Sequence, residues 1–244
     1  DIQSDGFRFC GHTEYIQEKV GEGKKALMIL AGNSLRVALV TTHLPIAEVA
    51  SAITKDAIVE KCTIFNEALR RDFNVSAPRI AVLSLNPHAG DGGVIGNEEE
   101  NVIKPALDEL EAAGVKAFGP FAADGFFGQG MYTAFDGVLA MYHDQGLAPF
   151  KTIVGGEGVN ITAGLPIVRT SPDHGTAYDI AGKGVADETS FRTAVYKAID
   201  IFRNRINYDD PMQNPLQKLY HERRDDSEKV RFAVPKKPKQ TEQQ

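Results

Sequence analysis

Cysteine is scarce in this 244-residue chain: Cys10 and Cys62 make no CxxC pair and no set of bridges, which excludes a disulfide-stapled scaffold. A reducing, cytoplasmic setting is the expectation that follows. Long hydrophobic runs are also missing. The apolar stretches at 26–31 and 137–142 fall far short of a membrane span, and no basic-then-apolar leader is visible, so no membrane partner is expected. Positive charge is in deficit, with 27 Lys and Arg against 33 Asp and Glu, a formal net charge of -6. No nucleic-acid partner is expected on that balance, and a small anionic substrate would need a local basic pocket. There is no internal repeat. Nor does a Gly-x-Gly-x-x-Gly follow a strand, and Gly90-Asp91-Gly92-Gly93 lacks the Lys-Ser/Thr of a P-loop, so both common nucleotide fingerprints are excluded.

What is present is ordinary globular material: 42% hydrophobic and 25% charged residues, enough for one large domain or two lobes. Residues 26–30 and 35–40 read as two strands around Gly32-Asn33, a hairpin. Ile58, Cys62, Phe65, Leu69 and Phe73 recur at helical steps and predict an amphipathic helix after Lys55. Residues 79–84 predict a buried strand that runs into the irregular, Gly-rich 86–93. A helix over 98–113 with Gly114 as its stop signal follows, then short strands at 115–118 and 137–141. Phe191, Val195, Ile199, Phe202 and Ile206 place a last helix, after which the pattern dissolves at Tyr208 and a disordered tail is expected over 236–244. Strands alternating with helices predict an α/β fold, with helices packed on a sheet.

Three of the six histidines stand where a strand pattern stops: His43, His88 and His143. Strand ends are where α/β proteins usually bind ligands, and three imidazoles can hold a divalent ion while leaving positions for substrate oxygen. Their long separations carry no local metal signature, so hydrogen-bonded structural rings are an equal reading. Lys151, Asn160 and Arg169 lie in a stretch read as Gly-rich loops and short strands, and their ammonium, amide and guanidinium would suit a phosphate or carboxylate; unrelated surface residues are the alternative. Asp124 and Asp144 are the acids nearest these features, able to orient a ligand histidine or to take a substrate proton, or simply to cap a helix.

The segments carrying these residues resemble, in order, the blocks of the 4-hydroxythreonine-4-phosphate dehydrogenase family. They are Gly11-His12-Thr13-Glu14, Thr41-Thr42-His43-Leu44-Pro45, Leu85-Asn86-Pro87-His88-Ala89-Gly90-Asp91-Gly92-Gly93, Met141-Tyr142-His143-Asp144-Gln145-Gly146, Gly158-Val159-Asn160-Ile161-Thr162, Gly164-Leu165-Pro166 and Arg169-Thr170-Ser171-Pro172-Asp173-His174-Gly175-Thr176-Ala177. The resemblance implies a two-lobed fold of the isocitrate and isopropylmalate dehydrogenase kind and a homodimer. It implies His43, His88 and His143 as ligands of a divalent ion (zinc, cobalt or magnesium) shared between subunits, and His12, Thr13, Lys151, Asn160 and Arg169 as substrate-binding residues, with Asp124 or Asp144 as candidate base. It implies NAD as cofactor, and His174, Gly175, Thr176, Ala177 and Asp179 resemble an adenosine-binding loop. The implied reaction oxidises 4-phosphooxy-L-threonine and decarboxylates the product to 3-amino-2-oxopropyl phosphate, on the route to pyridoxal phosphate.

Family members begin well before the Gly-His-Thr-Glu block, so the chain resembles one lacking the leading segment. Residues 1–163 are then expected to form the metal and dimerisation lobe, 164–206 part of the cofactor lobe with exposed apolar faces, and 207–244 a tail. Weak or absent NAD turnover by this chain alone is the corresponding expectation. Three rivals stand beside this reading: a sister dehydrogenase of threonate or erythronate phosphate, a metal-dependent phosphatase and a noncatalytic metal-binding fragment.

Overall fold

The structure, a computed structural model, describes residue 9, residues 11–175 and residues 177–215. Seven strands are present among these: β1 (Leu27–Ala31), β2 (Arg36–Leu39), β3 (Ile80–Leu83), β4 (Ala117–Phe121), β5 (Gly137–Ala140), β6 (Val159–Ala163) and β7 (Arg169–Pro172). They form one mixed sheet in the order β4-β3-β5-β2-β1-β6-β7. β4, β3, β5 and β2 run parallel, whereas β1, β6 and β7 join antiparallel. The α/β expectation is borne out, as is the hairpin, in which Ile29 pairs with Ala38 and Ala31 with Arg36.

Strand alternation divides the core in two. Leu27, Ile29, Ala38, Ile80, Val82, Leu139 and Ile161 face one side. Four helices cover it: α2 (Ile46–Ala52), α3 (Lys55–Arg71), α4 (Lys104–Ala112) and α7 (Thr189–Gln213). Leu30, Val37, Leu39, Ala81, Leu83, Val138 and Ala140 face the other side, under α5 (Ala123–Gly128) and α6 (His143–Val154). α1 (His12–Val20) precedes β1 and buries none of its residues. The parallel strands are buried on both faces, which is why they read as continuous apolar runs.

The α3 stripe buries Ile58, Cys62, Phe65 and Leu69 as expected, and Thr54 caps its first turn by accepting from the Ala57 amide at 3.2 Å. Burial pushes the Cys62 thiol from 9.0 up to about 12. Because the folded value lies above the unfolded one, the thiol's contribution to stability is intact below pH 9 and is lost as pH rises from there toward 12. Iodoacetamide at pH 8 is therefore expected to leave Cys62 unmodified in the native protein and to alkylate it in urea, as peptide mass spectrometry would show; rapid native labelling at that residue would refute the burial.

Gly114 ends α4 as its stop signal predicts. At φ +77° it donates to the Glu111 carbonyl while Val115 donates to the Leu110 carbonyl, both at 2.9 Å, and Val115 and Leu110 bury together. The same helical stretch opens with a π-helical turn, Glu99–Ile103. The strand expected at 115–118 sits later, at Ala117–Phe121, because the helix cap uses Val115; Pro120 is tolerated there since β4 is an edge strand.

Two expectations need correction. Lys151 lies on α6, not in a loop: Gly146 and Pro149 sit inside that helix, and both residue types argue against helix in sequence. Gly146 is required by packing, for a Cβ there would come within 2.7 Å of Val37 and 3.0 Å of Ala140 and Leu39. The last helix also runs on to Gln213, past Tyr208. Its apolar stripe is exposed, with Phe191 at 63% and Phe202 at 59%, while Ala194, Ile201 and Arg205 make the buried contact with the sheet. Arg205 joins α7 to the end of α3 through two bonds to Asp72, at 2.7 and 3.0 Å, and donates to the carbonyls of Leu165, Pro166 and Ile167. The expected disordered tail at 236–244 lies outside the described residues.

Candidate active site at the carboxyl edge of the sheet

Because β4, β3, β5 and β2 are parallel neighbours, their carboxyl ends lie along one edge of the sheet. The residues that follow these ends are, in spatial order, Asp124, His88, His143 and His43. Chain order is scrambled into a row.

His43 and His143 are close, with ring centroids 6.2 Å apart. Each turns Nδ1 toward a carboxylate: His143 to Asp144 at 2.6 Å, and His43 to Glu14 at 3.8 Å. Nε2 is thus the ring nitrogen left for another ligand, the arrangement by which carboxylates orient metal-ligating imidazoles. His143 opens α6, three residues beyond the strand end at Ala140. Gln145 ties that turn down, donating to the Ser84 carbonyl at 2.6 Å and accepting from the Met141 amide at 2.7 Å.

His88 does not join the pair within one chain. It lines a 540 Å³ cleft with Asp124, Phe127 and Gln145, whereas His43 and His143 line a separate 260 Å³ cleft, and Tyr142 borders both. Among the described residues no three His, Cys, Asp or Glu side chains come together around a common point. Within one chain a divalent ion would thus find a pair of imidazoles and, among the described residues, no third ligand. The loop carrying His88 is unusual: residues 88–92 all have positive φ, including the non-glycine His88, Ala89 and Asp91. Left-handed backbone costs such residues about 1–2 kcal/mol each, so the surroundings must hold it.

Asp124 opens the short helix α5 on the His88 side, and Asp144 is exposed on the other. His12 and Thr13 form the first turn of α1. Thr13, Glu14, His43 and Lys61 line a 140 Å³ cavity; Lys61 donates to the Ala26 carbonyl at 3.0 Å, and burial holds its amine below the usual lysine range. Asn160 and Arg169 share the sheet face covered by α6, for Asn160 pairs with Ser171 two positions along from Thr162 opposite Arg169. Both have spare binding capacity among the described residues: the Asn160 Oδ1 is buried without a partner, and the half-buried Arg169 guanidinium bonds only Thr162, with burial pulling its pKa down. Lys151 reaches Asp173 at 3.4 Å. Burial raises the Asp173 carboxyl above its ordinary value, and Lys151, His143 and His174 offset part of that rise.

The expected cofactor loop is less gathered. His174 bonds the Gly175 carbonyl at 2.9 Å, and Gly175, Ala177 and Asp179 are exposed; Thr176 lies outside the described residues. Sequence reasoning missed Glu14, Lys61, Gln145 and Asp173. Glu14, Gln145 and Asp173 stood inside the blocks that matched, each next to a selected residue, whereas Lys61 carried no signal, being one more lysine on an exposed-looking helix face.

A mixed α/β sheet whose parallel strands end in a row of histidines, with a half-buried guanidinium on the same sheet, has the layout in which α/β enzymes bind small molecules. The chain belongs to the family described as pyridoxal phosphate biosynthetic protein PdxA, whose model matches residues 1–198. It is 63% identical over 231 residues to a 4-hydroxythreonine-4-phosphate dehydrogenase of Bacteroides thetaiotaomicron, covering 95% of this chain and 64% of that one. The corresponding protein of Chromobacterium violaceum is 54% identical, with 80% and 59% of the two chains covered. A solved structure of the Klebsiella pneumoniae dehydrogenase superposes with a TM-score of 0.72 at 38% identity, covering 80% of this chain and 59% of that one. The chain thus spans about three fifths of the length of these relatives. No helix among the described residues is long and apolar enough to cross a membrane.

Proposed function

We propose that this chain supplies the metal- and substrate-binding part of an NAD-dependent dehydrogenase that converts 4-phosphooxy-L-threonine to 3-amino-2-oxopropyl phosphate in pyridoxal phosphate biosynthesis, in the cytoplasm. The carrying observation is the His43–His143 pair, oriented by carboxylates at the edge of the sheet in a chain of this family. His88 lies in a different cleft of the same chain, which favours a homodimer in which His88 of a second copy completes the ion's ligands.

A divalent ion held there would supply Lewis acidity toward the substrate hydroxyl and the carbonyl it becomes, and NAD would accept the hydride. The chain's own residues do the positioning. Arg169, half-buried and without a carboxylate partner, takes an anionic end of the substrate, and the free Asn160 Oδ1 accepts from a substrate donor. Lys151 adds an exposed ammonium in the last turn of α6, and Asp173 steadies it. His12 and Thr13 approach from α1, next to the cavity under His43. Asp144 serves as the orienting group of His143, leaving Asp124, which shares the His88 cleft, as the proton acceptor. The loop of His174, Gly175, Thr176, Ala177 and Asp179 receives the adenosine end of NAD. Residues 1–163 act as the metal and dimerisation lobe and 164–206 as part of the cofactor lobe.

The test is to incubate the chain with cobalt or zinc, NAD and 4-phosphooxy-L-threonine, following NADH absorbance and inorganic phosphate. Weak NADH formation, lowered further by Arg169→Ala through a raised KM, is the expected result. Phosphate release without NADH would replace this reading with a phosphatase.

A further inference from the structure

Glu99 is buried to 1% exposure, yet among the described residues its carboxylate is paired with no cation; it is filled by donors from a single stretch of backbone and one side chain. Oε1 accepts from the Leu85 amide at 2.9 Å and from the Asn86 amide at 2.7 Å, and Oε2 accepts from the Asn86 Nδ2 at 2.9 Å. Asn86 also donates to Glu98 at 2.7 Å, and its carbonyl accepts from the Ser84 hydroxyl at 2.9 Å. All of these donors lie between the end of β3 and His88.

The loop beyond is built around the same carboxylate. A Cβ on Gly90 would stand 2.6 Å from the Glu99 Oε2, and one on Gly96 would stand 2.5 Å from the Asn86 Nδ2, so the chain folds back against the clamp at two glycines with positive φ. The Ile95 amide closes the turn onto the Gly90 carbonyl at 3.0 Å. The His88 ring is exposed and makes no hydrogen bond with the described residues, so its place is set by its backbone alone. That backbone is left-handed over five consecutive residues, a conformation it would leave if released. Glu99 itself opens a π-helical turn, the local widening of helix that often accompanies functional sites.

We propose that Glu99 is the positioning residue for His88: its carboxylate clamps Leu85 and Asn86, holds the left-handed run against the helix, and so fixes where the imidazole stands. The role depends on the reading of His88 as a donor to a divalent ion. A carboxylate suits this task because it is the side chain that can accept several backbone and amide N–H groups at once while buried.

The test compares Glu99→Ala, Glu99→Gln and Leu110→Ala, the last a buried α4 residue that makes none of these bonds. Cobalt titration followed by the visible spectrum and deuterium exchange over 85–96 are measured on each, beside thermal melting. Glu99→Ala is expected to weaken cobalt binding about 10- to 100-fold, the range for losing a group that orients a ligand, and to alter the visible bands. Its exchange over 85–96 should rise while that over 137–143 stays unchanged. Glu99→Gln retains an acceptor for the two amides but loses the one facing Asn86, so it should fall between parent and alanine variant. Leu110→Ala should lower the melting temperature without touching cobalt affinity. Parental cobalt affinity and spectrum in Glu99→Ala, or a loss matched by Leu110→Ala, would overturn the assignment. If the parent itself takes up no cobalt, the ion reading fails, and unchanged exchange in Glu99→Ala then removes the clamp as well, whereas raised exchange confined to 85–96 upholds it.

Discussion

Replacing His143 by alanine is expected to lower divalent-ion affinity by more than about 100-fold, because removing a direct ligand must exceed the 10–100-fold typical of losing a group behind one. His43→Ala should match it, since the two rings stand 6.2 Å apart as a pair. His88→Ala should do the same only if a second copy supplies that ring. Mixing separates the cases. In a dimer of His143→Ala with His88→Ala chains, one of the two shared sites keeps all three imidazoles; half the dimers of an equal, randomly paired mixture are of this kind, so about a quarter of the parental sites should return. A mixture of His43→Ala and His143→Ala restores none, for every pair is broken. Competition titration with a chromogenic chelator reads both mixtures. Equal recovery in the two, or parental affinity in His88→Ala alone, would rule out the shared site.

Asp72→Ala is expected to destabilise the fold by about 3–5 kcal/mol, the usual cost of leaving one member of a buried ion pair alone. Asp72 and Arg205 are exposed by only 3% and 7%, and the same guanidinium donates to three carbonyls in 165–167, so the charge left behind cannot reach water without parting α3 from α7. The i,i+4 pair of Glu100 and Lys104 provides the contrast: it is half exposed, and its loss should cost about 0.3–0.5 kcal/mol. Urea melts of the two alanine variants at Asp72 and Glu100 measure the difference. Similar midpoints would mean that water enters the Asp72 site.

Much of the frame was legible because period and burial agree in it. The hairpin, the α3 stripe, β3, β5 and the Gly114 stop all appear where apolar runs, helical spacing or a terminating glycine put them. α6 was not legible: Gly146 is there to let the helix touch β2 and β5, a tertiary demand that local propensity reads as a breaker. The stripe of α7 was legible as a helix, but spacing cannot tell which face meets the sheet, and the contact falls to Ala194, Ile201 and Arg205 instead. At the site, strand ends singled out the three histidines, yet their separation into two clefts follows from which strands are neighbours, and no spacing along the chain encodes that. Glu14 and Asp173 were hidden for a similar reason. Each acts on a residue far away in sequence, His43 in one case and Lys151 in the other.

The strand order has a consequence for how such a chain can change. β5 lies between β3 and β2, and neighbouring strands stand about 4.8 Å apart whatever joins them. The separation of the histidine-bearing ends is therefore set by hydrogen-bonded ladders, and the helices that link them can lengthen or shorten freely. Deleting a single residue just after β2 or β5 is another matter, since His43 and His143 stand only four and three positions beyond Leu39 and Ala140 and would be drawn back from their places in the row. Length variation among relatives should thus collect in the connections and be absent from the few positions between each strand end and its imidazole.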